Sequence, residues 1–261
     1  AVAEDIHARA AELGFDAFSA AGLDGSSSWR FSGHLATLPL HYEGVTSQVA
    51  TITGEYLNLF KNVWDLYINN SAADVTSLTT STGDESKAQF VEGKAVFYQN
   101  GTWEYAGLIE AGMTDDQLAM IPIYCGAEGE ENAALCSGTE NCWAVNAKAS
   151  EADQKATLDF MKWMVTDAEA SALAVGTFGV MPYKNAAESS NPFLAQANAY
   201  ASAGNYTMPW VTNFQPNVDQ YRAAAVAAMN TYNADPTDAN WELVEAAFVG
   251  GWATQYAAAN Q

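Results

Sequence analysis

Tyr56, Leu59, Phe60, Val63, Trp64 and Tyr67 recur at three- and four-residue steps within residues 55–68. That is the period at which side chains stack along one face of an α-helix. A stripe of such large apolar groups is stable only against an equally apolar surface, so this helix must sit in a core that other elements complete. The rest of the chain supplies them in alternation. Within 1–13, Val2, Ile6 and Leu13 share a helical face, and Gly14 can stop the helix. Residues 15–20 suit a short strand, and the Gly/Ser loop 22–28 leads into Trp29-Arg30-Phe31. Asp84 is expected to cap a short helix running through Phe90 and Val91 and broken at Gly93, before a buried strand at 95–98. Asn100-Gly101 turns the chain and Trp103 opens another helix. Residues 118–124 read as a core strand. Ser150-x-x-Asp153 starts a capped helix bearing Leu158, Met161, Met164 and Val165. Further helices are expected from Asn191-Pro192, from near Asn217, and from near Asp238, the last carrying Trp241, Val244, Phe248 and Trp252. Strands alternate with helices and the last third is almost wholly helical, so the fold class is α/β.

Charge narrows the function classes. The chain has 261 residues, with 10 Lys plus Arg against 31 Asp plus Glu and a formal net charge of −21. Such a surface repels phosphate backbones and anionic lipid, which excludes nucleic acid as the expected partner. No run approaches the ~18 uninterrupted apolar residues of a membrane span, so direct membrane insertion of this chain is not expected. The N-terminal residues show neither the basic nor the apolar region of a targeting peptide. Three cysteines, Cys125, Cys136 and Cys142, cannot all pair within one chain. Cys136 and Cys142 are close enough in sequence to do so, and three free thiols fit equally.

Common catalytic signatures are missing: no G-x-S-x-G elbow, no H-E-x-x-H helix and no phosphate-binding G-x-x-x-x-G-K-[ST] loop. Gly176-Thr-Phe-Gly179 lacks the third glycine of a dinucleotide fingerprint. His34, His41 and Glu43 could converge on a metal, but their spacing matches no zinc pattern. Asp24-Gly-Ser-Ser-Ser28 lacks the glycine and terminal Glu of a calcium loop. Neither a metal nor a cofactor is expected. Glu128, Glu130 and Glu131, in the polar stretch 126–132, read as solvated charge on a surface loop. Among 31 acids nothing selects a carboxylate pair for glycoside cleavage, so a glycan-active hydrolase stays an alternative without a named site.

What stands out is aromatic residues beside small polar ones: Ser28-Trp29-Arg30, Asn100-Gly-Thr-Trp103-Glu104, Thr139-Glu-Asn-Cys-Trp143 and Pro209-Trp210-Val-Thr-Asn-Phe214. A flat ring offers apolar area at little rotamer entropy and can stack on the C–H face of a pyranose, while neighbouring Asn, Glu and Arg fix hydroxyls. Trp64, Trp163, Trp241 and Trp252 lie in helical stripes and read as core. Trp29, Trp103 and Trp210 lie at loop–helix junctions, where ligand contact competes evenly with packing.

Phe90-Val-Glu-Gly-Lys-Ala-Val-Phe-Tyr-Gln-Asn-Gly-Thr-Trp103 resembles the F-x-x-G-x-A-(apolar)-x-x-x-G-x-W segment of the extracellular solute-binding proteins of sugar ABC importers, the maltose-binding-protein-like proteins. Residues 29–39, 136–141 and 178–183 resemble its Gram-positive carbohydrate-binding branch, and the four stretches fall in the expected order. The resemblance implies a periplasmic-binding-protein-like fold of type II, two α/β lobes closing on a ligand held in the cleft. It implies a C-lobe made of residues 1–118 and 181–261, a returning N-lobe strand and helix in 119–180, and the opening part of the N-lobe missing. Packing partners of the returning segment would then be missing too, which predicts self-association through its exposed apolar face.

Carried over position by position, the resemblance makes Trp103, after the Asn100-Gly101 turn, the cleft residue that stacks on a sugar. Trp29 and Arg30 fall on a ligand-contacting C-lobe loop, Glu140 and Asn141 on the loop where the returning segment faces the cleft. Trp210, Phe214 and Asn217 fall before the penultimate helix, another ligand-lining position. It implies no catalytic residue. The expected function is binding a mono- or oligosaccharide and delivering it to the importer's permease, outside the cell, as a lipoprotein in the full-length precursor. A peptide or another polar solute is the alternative ligand on the same fold.

Overall fold

The computed structural model describes residues 1–138, 142–178, 181 and 183–260. Its elements in chain order are α1 (Val2–Ala8), α2 (Ala10–Leu13), β1 (Asp16–Phe18), a π-helical turn at Arg30–Leu35, α3 (Thr37–Tyr42), α4 (Leu57–Asn69), α5 (Gly83–Val91), β2 (Ala95–Phe97) and α6 (Glu104–Glu110). There follow β3 (Ala133–Ser137), α7 (Glu151–Thr166), α8 (Ala168–Phe178), α9 (Pro192–Ser202), β4 (Tyr206–Pro209), α10 (Val218–Ala234) and α11 (Asp238–Ala259). The chain divides into two compact units. The first comprises 1–100, 122–138 and 206–261, the second 101–121 and 139–205. β3 pairs with β4 within the first unit.

The first unit is built around the stripe on α4. Leu57, Leu59, Phe60, Val63, Trp64, Tyr67 and Ile68 are all buried on this helix. Phe31 of the π-helical turn meets Trp64 with ring centroids 4.5 Å apart. From the other side come Met229 and Tyr232 of α10 and Trp241, Val244 and Phe248 of α11. Fully burying one such side chain is worth ~1.5–3 kcal/mol, so this cluster dominates the unit's stability. A second cluster joins Leu40, Val45, Ile52, Val211, Tyr221 and Trp252.

Two short parallel sheets complete the unit. β1 pairs with β2 in the register Asp16↔Ala95 and Phe18↔Phe97. β3 pairs with β4, Cys136 opposite Met208, with an irregularity between Ala133 and Cys136. Parallel neighbours need crossover connections, and here helices supply them. The sheets carry their following loops out from the carboxyl ends of β2 and β4, where open α/β folds bind ligands.

In the second unit α6 and α9 are tied by Tyr105 against Phe193 and by Asn191 Nδ2 donating to the Thr102 carbonyl at 3.0 Å. Asn191 also caps α9, with Pro192 in its first turn. Met164, Ala170 and Ala174 form a small cluster between α7 and α8. Ser150 caps α7 by accepting from the Asp153 amide.

Several expectations need correction. Residues 118–124 form no strand; Leu118 is buried, but Ile121, Ile123 and Tyr124 are exposed, and among the described residues no strand pairs with this apolar run. β3 was not foreseen. The cap of α5 is Thr82, not Asp84: its side chain accepts from the Glu85 amide while Glu85 reaches back to the Thr82 amide. Trp163 is 41% exposed, whereas Trp64, Trp241 and Trp252 are core as expected. Glu130 is not idle charge: its carboxylate accepts the amides of Cys125, Gly126 and Ala127 and shapes the loop before β3. All three cysteines are free thiols, Cys125 buried and Cys142 exposed.

Candidate functional site

One face of the first unit gathers aromatic and polar groups from three distant stretches. Trp29 precedes the π-helical turn and His34 lies within it; Gln99 follows β2, and Trp210 follows β4. His34 stacks on Trp210, centroids 4.5 Å apart and planes 27° from parallel, and meets Trp29 edge-on at 4.6 Å. Both indoles are half-buried, so each keeps part of its surface at solvent. Six residues of wide helical turn place Trp29, Arg30 and His34 on one patch. Single π-turns of this kind often mark functional sites.

Polar contacts lock the patch. Gln99 Nε2 lies 3.1 Å from His34 Nδ1, and Arg30 Nε donates to the Gln99 carbonyl at 3.1 Å. Gln215 Nε2 donates to the Ser32 carbonyl at 3.0 Å, and Arg222 Nε donates to Gln215 Oε1 at 2.7 Å. Burial, then the nearby Arg30 and Arg222 charges, push the His34 imidazole down from 6.5 to about 3, so it is neutral at physiological pH. The Arg30 guanidinium is 1% exposed and lies 4.6 Å from the Trp29 ring. Buried Arg30 Nη1 and Gln99 Oε1 lack hydrogen-bond partners. Native structures leave few such atoms.

Beside Trp29 and α10 runs an open groove of about 440 Å³, lined by Trp29, Asp219, Arg222 and Asn230 among others, with Ala223 and Val226 as apolar floor. That size lies in the range of small-ligand sites, and the mixture of one indole, a carboxylate and a planar cation suits a polyhydroxylated ligand.

The other expected site residues are placed as follows. Asn100 Nδ2 donates to the Tyr98 hydroxyl at 2.6 Å, and the Tyr98 ring lies 5.9 Å from the Arg30 guanidinium carbon. Trp103, in the second unit, opens α6 and is 51% exposed. Its indole folds over Gly101, where any Cβ would come within 2.2 Å of the ring. Phe214 packs on the second core cluster instead, and Asn217, at φ 43°, donates to Gln255 Oε1 at 2.6 Å across the start of α10. Neither joins the Trp29 face. Glu140 and Asn141 lie outside the described residues.

Sequence reasoning passed over Gln99 and Gln215, and weighed His34 as a metal ligand against an ordinary hydrogen-bonded or surface histidine. No spacing announces them, since their partners are 65 to 183 residues away. Among the described residues no group of three or more His, Cys, Asp or Glu is placed to hold a metal. The Asp24 loop is closed on itself: its carboxylate accepts from the Ser26 amide and from the Ser26 and Ser27 hydroxyls. Burial opposes its charge, but these bonds outweigh that and hold it below the usual carboxylate range.

The sequence model of the family described as bacterial extracellular solute-binding protein matches residues 3–202. The chain belongs to this family. Solved structures share the solute-binding-protein fold. One, titled a chitin oligosaccharide binding protein, superposes with a TM-score of 0.66 at 17% identity, covering 98% of this chain and 63% of that one. Another, a Streptococcus pneumoniae solute-binding protein in complex with the blood group A-trisaccharide, gives 0.59 at 19% identity, covering 95% and 61%. The chain thus spans about three fifths of the length of these solute-binding proteins. No curated protein sequence matches it significantly. The family and these neighbours are binding proteins rather than enzymes. No helix among the described residues of this family member is long and apolar enough to cross a membrane.

Proposed function

We propose that this chain belongs to the substrate-binding component of an ABC importer for mono- or oligosaccharides. The observation that carries this reading is the Trp29–His34–Trp210 array, two half-buried indoles held by a neutral imidazole beside Gln99, Gln215 and Arg222. A pyranose presents an apolar face ringed by hydroxyls, and aromatic platforms flanked by fixed donors and acceptors match both features. The two structural neighbours, whose titles name oligosaccharide ligands, support the same class. Trp103 offers a further stacking surface in the second unit. Residues 1–118 and 181–261 would belong to the C-lobe of the complete protein, and 119–180 to the segment returning to its N-lobe.

In this reading the ligand is bound and released unchanged, and the bound form is what the membrane permease selects through its differential affinity for closed and open states. The complete protein works outside the cell, held at its surface as a lipoprotein. Tryptophan fluorescence titrated with neutral and charged mono- and oligosaccharides tests the reading. Saturable change in emission without product formation is expected, reduced at least tenfold in affinity by Trp29→Ala or Trp210→Ala. A chain that responds to peptides and to no saccharide would overturn it, as would release of a cleaved sugar.

A further inference from the structure

β3 ends beside the Trp210 platform, and the residue that follows it has no side chain. β3 and β4 run parallel in the register Cys136↔Met208 and Ser137↔Pro209, so the next step along both chains sets Gly138 against Trp210. Gly138 is exposed, and its φ lies outside the left-handed region. Neither backbone conformation nor a crowded core therefore calls for glycine, which loses more conformational freedom on folding than any other residue. What a side chain at 138 would meet is the indole. A Cβ there would lie 2.8 Å from Trp210 Cδ1 and 3.5 Å from both its Cγ and its backbone nitrogen. Carbon atoms in contact settle ~3.5–4.0 Å apart, so the ring would have to move.

That ring has little freedom. Cδ1 sits at the root of the side chain, so a small swing of the ring tip does not relieve the contact. One face of the indole lies on His34 at 4.5 Å between centroids, and His34 is itself held by Gln99 and by the Trp29 ring. The edge beside Gly138 also carries a donor, since Cδ1 and Nε1 are bonded neighbours in the pyrrole ring. Trp29, Trp241 and Trp252 give their indole N–H to the Ser26 carbonyl, Glu245 Oε1 and the Val49 carbonyl. Among the described residues the Trp210 N–H meets no acceptor. A half-buried indole with an unused donor is apolar on its face and polar at one edge, the two characters a sugar ring presents.

We propose that Gly138 is a positioning residue of the saccharide site. By carrying no side chain it seats the Trp210 indole on His34 and leaves the pyrrole edge open. The Nε1–H then donates to a ligand hydroxyl while the outer face of the ring stacks on the sugar. Gly138 touches no ligand itself and acts through Trp210. The proposal rests on the saccharide reading above and adds a residue and a hydrogen bond to that site.

The test uses the whole chain, Gly138→Ala, and Gly25→Ala as the control, because no atom lies within 4 Å of a Cβ at position 25. Calorimetry with glucose, galactose and N-acetylglucosamine and their di- and trisaccharides gives affinities. The nitrogen–proton resonance of the Trp210 indole, assigned by its loss in Trp210→Phe, reports the ring directly. In the parent, a bound saccharide should shift that resonance. Gly138→Ala should displace it without ligand and weaken binding about tenfold or more, and Gly25→Ala should change neither. Trp210→Phe should weaken binding in the parent but add little to the loss in Gly138→Ala, since both act on one group. A Trp210 resonance unmoved by saturating saccharide, an unchanged Gly138→Ala, or losses that add in full would each overturn the proposal and leave the saccharide reading standing. No binding of any of these sugars by the parent would overturn both.

Discussion

His34 lies flat against Trp210, with centroids 4.5 Å apart and planes 27° from parallel, and the same imidazole meets the Trp29 ring edge-on. One small ring therefore fixes the spacing of two large ones that come from positions 29 and 210. Gln99 fixes the imidazole in turn, 3.1 Å from its Nδ1. The face thus depends on three separate stretches and is set by the tertiary fold, not by any local motif.

This arrangement makes His34 a stability-linked group with a definite sign. Its folded pKa is depressed to about 3 from 6.5, by burial first and by Arg30 and Arg222 next. The unfolded chain therefore binds a proton that the folded chain refuses between those values. The stabilisation is complete above about pH 6.5 and is lost progressively as pH falls toward 3. His34→Phe keeps a ring between the indoles and removes the proton. Unfolding free energies measured from pH 7 to 5, above the range of most carboxylates, should fall more steeply in the parent than in the variant, which keeps the contribution of His41, whose imidazole burial also pushes down. Parallel curves would show that His34 does not titrate as inferred.

The tryptophans separate into two energetic classes. Trp252 is fully buried, and its Nε1 donates to the Val49 carbonyl at 2.8 Å. Trp252→Ala should cost ~3–5 kcal/mol by opening a cavity and orphaning that carbonyl. Trp103, at 51% exposure, should cost under about 1 kcal/mol on replacement by alanine. Denaturant midpoints of the two variants check the contrast, and a Trp103→Ala loss comparable to Trp252→Ala would assign Trp103 to packing.

The α4 stripe, the late helices from Pro192, Val218 and Asp238, and the helix opened by Trp103 were legible because each shows a 3.6-residue period or a local cap. Short strands were half legible: 95–97 was found, while 118–124 is apolar with no strand paired to it among the described residues, and 133–137 forms only because β4 lies beside it, some seventy positions later. The capping of α5 by Thr82 competed with Asp84 two residues on, and reciprocal bonding with Glu85 decides it. At the site, Trp29, Arg30 and Trp210 were legible as aromatic and charged groups at loop junctions. Gln99 and Gln215 were not, since the contacts of Gln99 with Arg30 and His34 and of Gln215 with Ser32 span more than sixty residues and leave no spacing to read.

Glu130 gives a prediction that the reading of a solvated acidic loop would not. Its carboxylate accepts from three successive amides, those of Cys125, Gly126 and Ala127, the last at 3.2 Å. Hydrogen bonds to a charged acceptor are stronger than neutral ones, so Glu130→Ala should cost about 1–3 kcal/mol. Glu128→Ala, on the same loop, should cost less than about 0.5 kcal/mol. Amide exchange at Gly126 and Ala127 should accelerate only in the Glu130 variant. Equal behaviour of the two variants would return Glu130 to solvated charge.

Helix α7 spans 16 residues and buries only Met164. Leu158, Phe160 and Trp163 are 55%, 56% and 41% exposed, and on α8 Leu173 and Phe178 are both 64% exposed. Phe160 and Trp163 sit together, ring centroids 5.8 Å apart. Helices in proteins owe most of their stability to a packed face, and soluble monomers rarely leave apolar groups of this size clustered at the surface. The chain alone should therefore self-associate through α7 and α8. Sedimentation velocity from micromolar to near-millimolar protein should show a rising average mass, and Phe160→Glu with Trp163→Glu should hold the chain monomeric while the circular dichroism of the parent is kept. A parent that sediments as one monomeric species throughout that range would mean that these side chains are tolerated in water. Association that survives the double substitution would place the contact elsewhere.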